Sequence, residues 1–166
     1  MAALPERKGM MAFLRRAFLE ESGAALNRRY AGVDPLFSPE GFAAYADDLL
    51  ERMTNPFLRD LLERVGRDPQ RKLGWDDRLI GTMRMVLARD LEPRCYALGA
   101  AAALARLAPD EWLESPPAGL LDPIWQDARP EASERERVLA SIGNARSRLA
   151  DWRASGCPDL DTFFKD

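Results

Sequence analysis

Apolar positions recur along this chain at steps of three and four, the spacing that gathers side chains on one face of an α-helix. Phe42, Tyr45, Ala46, Leu49, Leu50 and Met53 keep that spacing behind Ser38-Pro39-Glu40, where Ser38 fits a cap and Pro39 the first helical position. Asn55-Pro56 repeats the start signal ahead of Leu58, Leu61, Leu62 and Val65, and that helix must end near Gly66 because Asp68-Pro69 follows. A further stripe runs from Asp76 or Asp77 through Leu79, Ile80, Met83, Val86 and Leu87 to Leu91. Glu92-Pro93 restarts the chain into ALGAAAALARL, whose small residues suit close helix packing. Pro109, Pro116, Pro117, Pro123 and Pro130 break any long element between residues 108 and 130. That span is predicted to be a connection of short helical turns, with Trp112 and Trp125 anchoring loops to the core. From Glu131 to about residue 154 the sequence predicts a long amphipathic helix that turns Val138, Ile142, Ala145, Leu149 and Trp152 to one side. In the tail after Gly156, Phe163 and Phe164 are expected to dock on the body. No segment alternates with β-branched residues and no hairpin signal occurs. The expected fold class is all-α, one helical domain over residues 1–166.

Composition narrows the chemistry. With 166 residues, 46% of them hydrophobic and 31% charged, the chain has the make-up of a soluble globular protein large enough to bury a core. A formal charge of −3 provides no overall basic field for nucleic acid. The apolar run MMAFL is broken at once by Arg15 and Arg16, so it is read as neither a signal peptide nor a membrane span, and the cytoplasm is the expected location. Cys95 and Cys157 lie far apart without metal spacing and are expected to be reduced and structural. Histidine is absent, which removes Ser-His-Asp and Cys-His catalysis and the commonest general base. There is no G-x-G-x-x-G turn and no Walker loop, so no cofactor is expected to bind this chain by itself.

One stretch stands out against that acidic background. RVGRDPQRKL, residues 64–73, sets Arg64, Arg67, Arg71 and Lys72 around a single Asp68-Pro69. Its net charge is +3, so the remainder of the chain carries −6. Two readings stand: a solvated charged turn, or a site for a small anion. Lysine is scarce here, and Lys72 is the only one away from the chain ends. In so Arg-rich a sequence a lone internal ammonium favours the second reading. Asn55 is explained as the cap of the helix opened by Pro56, and with Asp77 and Arg78 it is also a candidate for orienting the site's cations. Asp77 and Arg78, with Asp60, either orient those cations or form ordinary surface ion pairs. Glu20 and Glu21 read as a pair on a helix surface.

The runs EESGAALNRRY, YADDLLERMTNPFLRDLLERVGRDPQRKLGWDDRLIG and ALGAAAAL, in this order, resemble the C-terminal helical domain of the long-chain polyol dehydrogenases. The form RVGRDPxRKL is most similar to that family's mannitol-1-phosphate branch. The likeness covers a family-like core of about residues 17–107. It implies an all-α substrate domain that closes over an NAD-binding Rossmann domain. It further implies that Arg64 and Lys72 match cations contacting the sugar or its phosphate, and assigns nothing equally firm to Arg67 and Arg71.

The departures matter as much. The family's catalytic lysine belongs to a lysine, asparagine, histidine motif just upstream of this region, whereas MAALPERKGMMAFLRR holds neither Asn nor His, and Lys8 matches no motif. Gly81-Thr82 stands where many relatives have proline. The expectation is a substrate-domain module without its base and without its cofactor domain, NAD being implied only through a separate Rossmann-domain chain. Expected partners are that chain, a sugar phosphate or other small anion, or a second copy joined through an exposed apolar patch, with no nucleic acid and no membrane. The alternative is a non-enzymatic orphan helical domain that binds a sugar phosphate or a protein.

Overall fold

The computed structural model describes residues 4–53 and 67–156, with side chains from residue 9 onward. The Asn55-Pro56 helix, Asn55, Asp60 and Arg64, and the tail with Cys157, Phe163 and Phe164, lie outside the described residues. Every regular element described is helical, and no strand occurs among these residues.

The chain enters through α1 (Leu4–Arg16), which runs without a break into a π-helical segment, Ala17–Gly23, and on into α2 (Ala24–Tyr30). In the π segment the Ser22 hydroxyl reaches back to the carbonyls of Ala17 at 3.3 Å and Phe18 at 3.4 Å. Asp34 caps a 3₁₀ turn at Pro35–Phe37 by accepting from the Leu36 amide at 2.8 Å. Ser38 caps α3 (Pro39–Met53) as expected, its hydroxyl accepting from the Gly41 amide at 3.0 Å. Gly41 has a physical reason to be glycine, since a Cβ there would lie 2.2 Å from the Pro35 carbonyl oxygen.

Only part of the α3 stripe is covered. Ala46 and Leu50 are buried, while Tyr45 and Met53 remain 48% and 49% exposed.

After the described gap come α4 (Pro69–Lys72), α5 (Arg78–Leu87), α6 (Arg94–Leu107), α7 (Pro117–Trp125) and α8 (Ala132–Ala154). The helix expected to run to Leu91 ends four residues earlier. Asp90, at φ 54°, takes a left-handed turn incompatible with continuing the helix, and Pro93 then precedes α6. Gly81-Thr82 sits inside α5 without interrupting it.

The main core lies among α5, α6 and α8. Ala97, Ala100, Ala101 and Ala105 are buried on α6, and such small residues let neighbouring helices approach closely. Ile80, Met83, Leu104, Leu121, Val138 and Ile142 fill the interior, each 0% exposed. The two tryptophans of the proline-rich connection dock as anchors. Trp125 is 1% exposed, stands edge-on to Trp75 at 4.9 Å and donates its indole N–H to the Leu73 carbonyl at 2.7 Å. Trp112, 5% exposed, lies beneath the Arg153 guanidinium. A buried tryptophan whose N–H finds a partner combines a large apolar area with a directional tie, which here fixes the short helix α7 and the turns around it.

Candidate functional site

From Arg67 onward the charged stretch forms a tight turn. Asp68 adopts φ 54° and ψ 53°, the left-handed conformation that short polar side chains tolerate best, and Pro69 then opens α4 with its φ already set. The backbone closes on itself: Lys72 N–H reaches the Asp68 carbonyl at 3.2 Å and Gly74 N–H the Arg71 carbonyl at 2.9 Å. Since these amides are used locally, an anion near them would have to be held by side chains.

Arg71 lines a shallow open cleft of ≈790 Å³ between this turn and the ends of α6 and α7. Trp75, Leu107 and Ile124 give that cleft an apolar component, and Asp68, Asp76 and Asp77 an acidic one. Two of the three carboxylates are compensated. Asp76 accepts from Arg84 at 2.6 Å. Asp77 caps α5 by accepting from the Arg78 amide at 2.6 Å and lies 3.6 Å from the Arg78 guanidinium. Asp77 and Arg78 therefore engage each other. Arg67 and Arg71 are exposed and Lys72 is half-buried, but neither Arg67 nor Lys72 is among the residues lining the cleft with Arg71.

Arg84 organises the ground behind this turn. Its guanidinium pairs with Asp76 and with Glu134 at 3.0 Å, donates to the Trp75 carbonyl at 3.3 Å and stacks 4.5 Å from the Trp75 ring. One side chain thus links the turn, α5 and α8. Arg combines these roles because its planar fork can hydrogen-bond at its edge while its face rests on an aromatic ring.

A second polar cluster corrects the surface reading of Glu21. Its side chain is 3% exposed, and its carboxylate accepts from the amides of Cys95 at 2.5 Å and Tyr96 at 3.2 Å, in the first turn of α6. These two donors have no partner within their own helix, and a negative charge at a helix N-terminus is favourable. Beside it the Tyr96 hydroxyl meets the Ser22 hydroxyl at 3.2 Å. Burial pushes the Glu21 carboxyl above the ordinary carboxylate value, against the lowering pull of the two amides. The same burial, reinforced by Glu21, pushes the Cys95 thiol well up, so it stays protonated and unreactive. A signal for Glu21 does exist in the sequence. Phe13, Ala17, Glu21 and Ala25 are spaced by four, and three apolar neighbours on one helical line leave a carboxylate facing inward.

Among the described side chains Lys72 supplies the single ammonium. No group of three or more His, Cys, Asp or Glu residues among them could hold a metal ion. They likewise include no strand-to-helix glycine turn of the kind that cradles a pyrophosphate.

No solved structure matches this chain. The family model described as the mannitol dehydrogenase C-terminal domain matches residues 8–151, which takes in every described helix from the first turns of α1 nearly to the end of α8. The match extends beyond the expected core of residues 17–107, into the proline-rich connection and the long final helix. This helical chain belongs to the mannitol dehydrogenase C-terminal domain family.

Proposed function

We propose that the chain is the substrate-closing module of an NAD-dependent polyol-phosphate dehydrogenase, mannitol 1-phosphate being the substrate class its charged turn suits best. The observation that carries this reading is the family match over residues 8–151. Within that frame Arg64 and Lys72 contact the sugar phosphate, with Arg67 or Arg71 near the rim. Arg grips a phosphate as a fork and Lys contributes a point charge, a combination suited to one anionic end on a hydroxylated chain. The nicotinamide and the base come from a Rossmann domain. Val33, Leu36, Tyr45 and Met53, exposed apolar residues of the N-terminal helices and the turn between them, are the proposed cover for that domain.

Two measurements test the proposal. The 166 residues alone should give no NAD-dependent oxidation of mannitol 1-phosphate, and adding a Rossmann domain that carries the lysine motif should restore turnover. Calorimetric titration of the chain with mannitol 1-phosphate should give millimolar binding at best, about −4 kcal/mol, because the site is open to water. Arg64→Ala with Lys72→Ala should abolish it. Unchanged binding by the double variant, or turnover by the chain alone, would overturn the assignment. A second reading takes up the absence of histidine, the commonest general base, among these 166 residues. On it the chain binds the sugar phosphate or a protein partner without catalysis. Binding that persists with no restored turnover would select it.

A further inference from the structure

The opposite end of α6 carries a second concavity that the polyol reading does not use. Leu107, the last residue of α6, lines the Arg71 cleft, whereas Arg94, its first, lines a separate cavity of ≈440 Å³. Thirteen rises of 1.5 Å put these two places about 20 Å apart along the helix. One wall of the cavity is the connection from Leu87 into α6, and the other is α8.

From α8 come Arg137, Ser141, Asn144 and Arg148, spaced four, three and four, which is one continuous line on a helix. Their sequence neighbours Val138, Ile142, Ala145 and Leu149 are the buried core face, so the polar line is the edge of α8 that borders the cavity. Arg94 joins from the other wall, giving three guanidinia against the two carboxylates Asp90 and Glu92. Two of the cations are held in place. Arg137 donates to the Leu87 carbonyl at 2.6 Å, and Arg94 pairs with Glu92 at 3.0 Å. A guanidinium has five donors in a rigid fork, so these contacts fix its position without exhausting it. The Ser141 hydroxyl donates to the Arg137 carbonyl at 3.1 Å, which leaves its oxygen to accept. The amides at the start of α6 are already taken, Cys95 and Tyr96 by Glu21 and Ala97 by the Pro93 carbonyl at 2.7 Å. Recognition here therefore rests on side chains.

The order along α8 defines the ligand. Arg137 and Arg148 are eleven residues apart, about 16 Å along the axis, so they flank the cavity while Ser141 and Asn144 stand between them. Cations at the ends with a hydroxyl and a carboxamide between suit an elongated hydroxylated molecule bearing an anionic group. Asp90 and Glu92 can accept from its hydroxyls and would repel a densely charged polyanion. The volume lies in the range of small-molecule sites. We propose that this cavity binds a small hydroxylated phosphate monoester, its phosphate held by Arg148 at one end and its hydroxyls by Ser141, Asn144 and the facing carboxylates.

The test is an amide-resolved NMR titration of the 166-residue chain with glycerol 3-phosphate, with inorganic phosphate and glycerol as comparison arms. Saturating shifts are expected at residues 90–94 and 137–148, with weaker binding of inorganic phosphate and none of glycerol. Arg148→Gln should weaken binding about tenfold, the loss of a charge-assisted hydrogen bond. Asn144→Asp should do the same by placing a carboxylate at an exposed helix position, and it decides the matter should Arg148→Gln lose the native circular dichroism. Shifts confined to residues 67–78, no saturable shift, or folded variants that bind as tightly as the native chain would overturn the proposal. Equal affinity for inorganic phosphate would overturn its hydroxyl recognition.

Discussion

The two ends of α6 are held by opposite kinds of chemistry. At its C-terminal end the neighbouring turn and connection are fixed by large apolar bodies, Trp75, Trp112 and Trp125, with one indole N–H as the directional tie. At its N-terminal end the entering helices bury mainly alanine, Ala17, Ala25 and Ala46, and the main tie is the Glu21 carboxylate, with the Tyr96–Ser22 hydroxyl contact beside it. A tryptophan loses water from a large apolar area, and its contribution does not depend on pH. A buried carboxylate gives a charge-assisted contact but carries a desolvation cost that changes with protonation. The two halves should therefore respond differently to mutation and to acid, although both pack on one helix.

The largest effect belongs to the tryptophan end. Trp125→Ala removes the edge-on contact with Trp75 and leaves the Leu73 carbonyl without its indole donor, and urea unfolding should report a loss of about 3–5 kcal/mol. At the other end, Glu21→Ala leaves two buried amides without an acceptor and should cost about 2–4 kcal/mol in the same measurement. Glu21→Gln keeps one acceptor oxygen and should cost less. If Glu21→Ala proved neutral, the carboxylate would be no anchor and the contrast between the ends would fail.

Acid separates the ends further. The Glu21 pKa is raised on folding, so the native state binds the proton more readily than the unfolded chain does. Its contribution is then most favourable at low pH and falls as pH rises, from the ordinary value of 4.5 up through the raised one. Comparing native protein with Glu21→Gln between pH 4 and pH 8 (about the span needed to cross that window), the stability difference should move in favour of the native chain as pH falls. The same comparison made with Trp125→Phe should be flat. A difference between native and Glu21→Gln that runs the other way would show that the two amides outweigh burial.

Arg84→Ala should fall below both, at about 1–2 kcal/mol, since it loses two ion pairs and a stacked ring from a partly exposed position. Smallest is Arg52→Ala. Its pair with Asp48 is one turn away on exposed α3, and thermal unfolding should register no more than about 0.5 kcal/mol.

The same contrast explains which parts were legible in the sequence. Val138, Ile142, Ala145 and Leu149 were readable as a buried face because apolar residues repeated at helical spacing have one physical outcome. Trp112 and Trp125 were readable as anchors because proline leaves their segment few other ways to be held. Glu21 was misread because a carboxylate in a helix is usually solvated, and its partners are amides 74 and 75 residues away that no local pattern reveals. The end of α5 was overestimated because Leu91 keeps the apolar spacing while the left-handed Asp90 breaks the backbone beneath it. At the charged turn, the sequence indicated a bend at Asp68-Pro69. It could not indicate that the Arg71 cleft would be bordered by three aspartates, because Asp76 and Asp77 reach it only through the fold of the following turn.

The π-helical passage from Ala17 to Gly23 has a consequence for how this protein can change length. Its wider winding accommodates a residue beyond what an α-helix of the same rise would hold, and it offsets the phase of α1 against α2 by roughly 100°. Deleting one residue here would let the passage relax into an ordinary α-helix, with every backbone bond intact. The rotation would nonetheless turn the line of Phe13, Ala17, Glu21 and Ala25 out of alignment, removing the carboxylate from the start of α6. The segment therefore acts as a phase-setter between two stretches of helix, and insertions or deletions that a surface loop would absorb become costly within these seven residues.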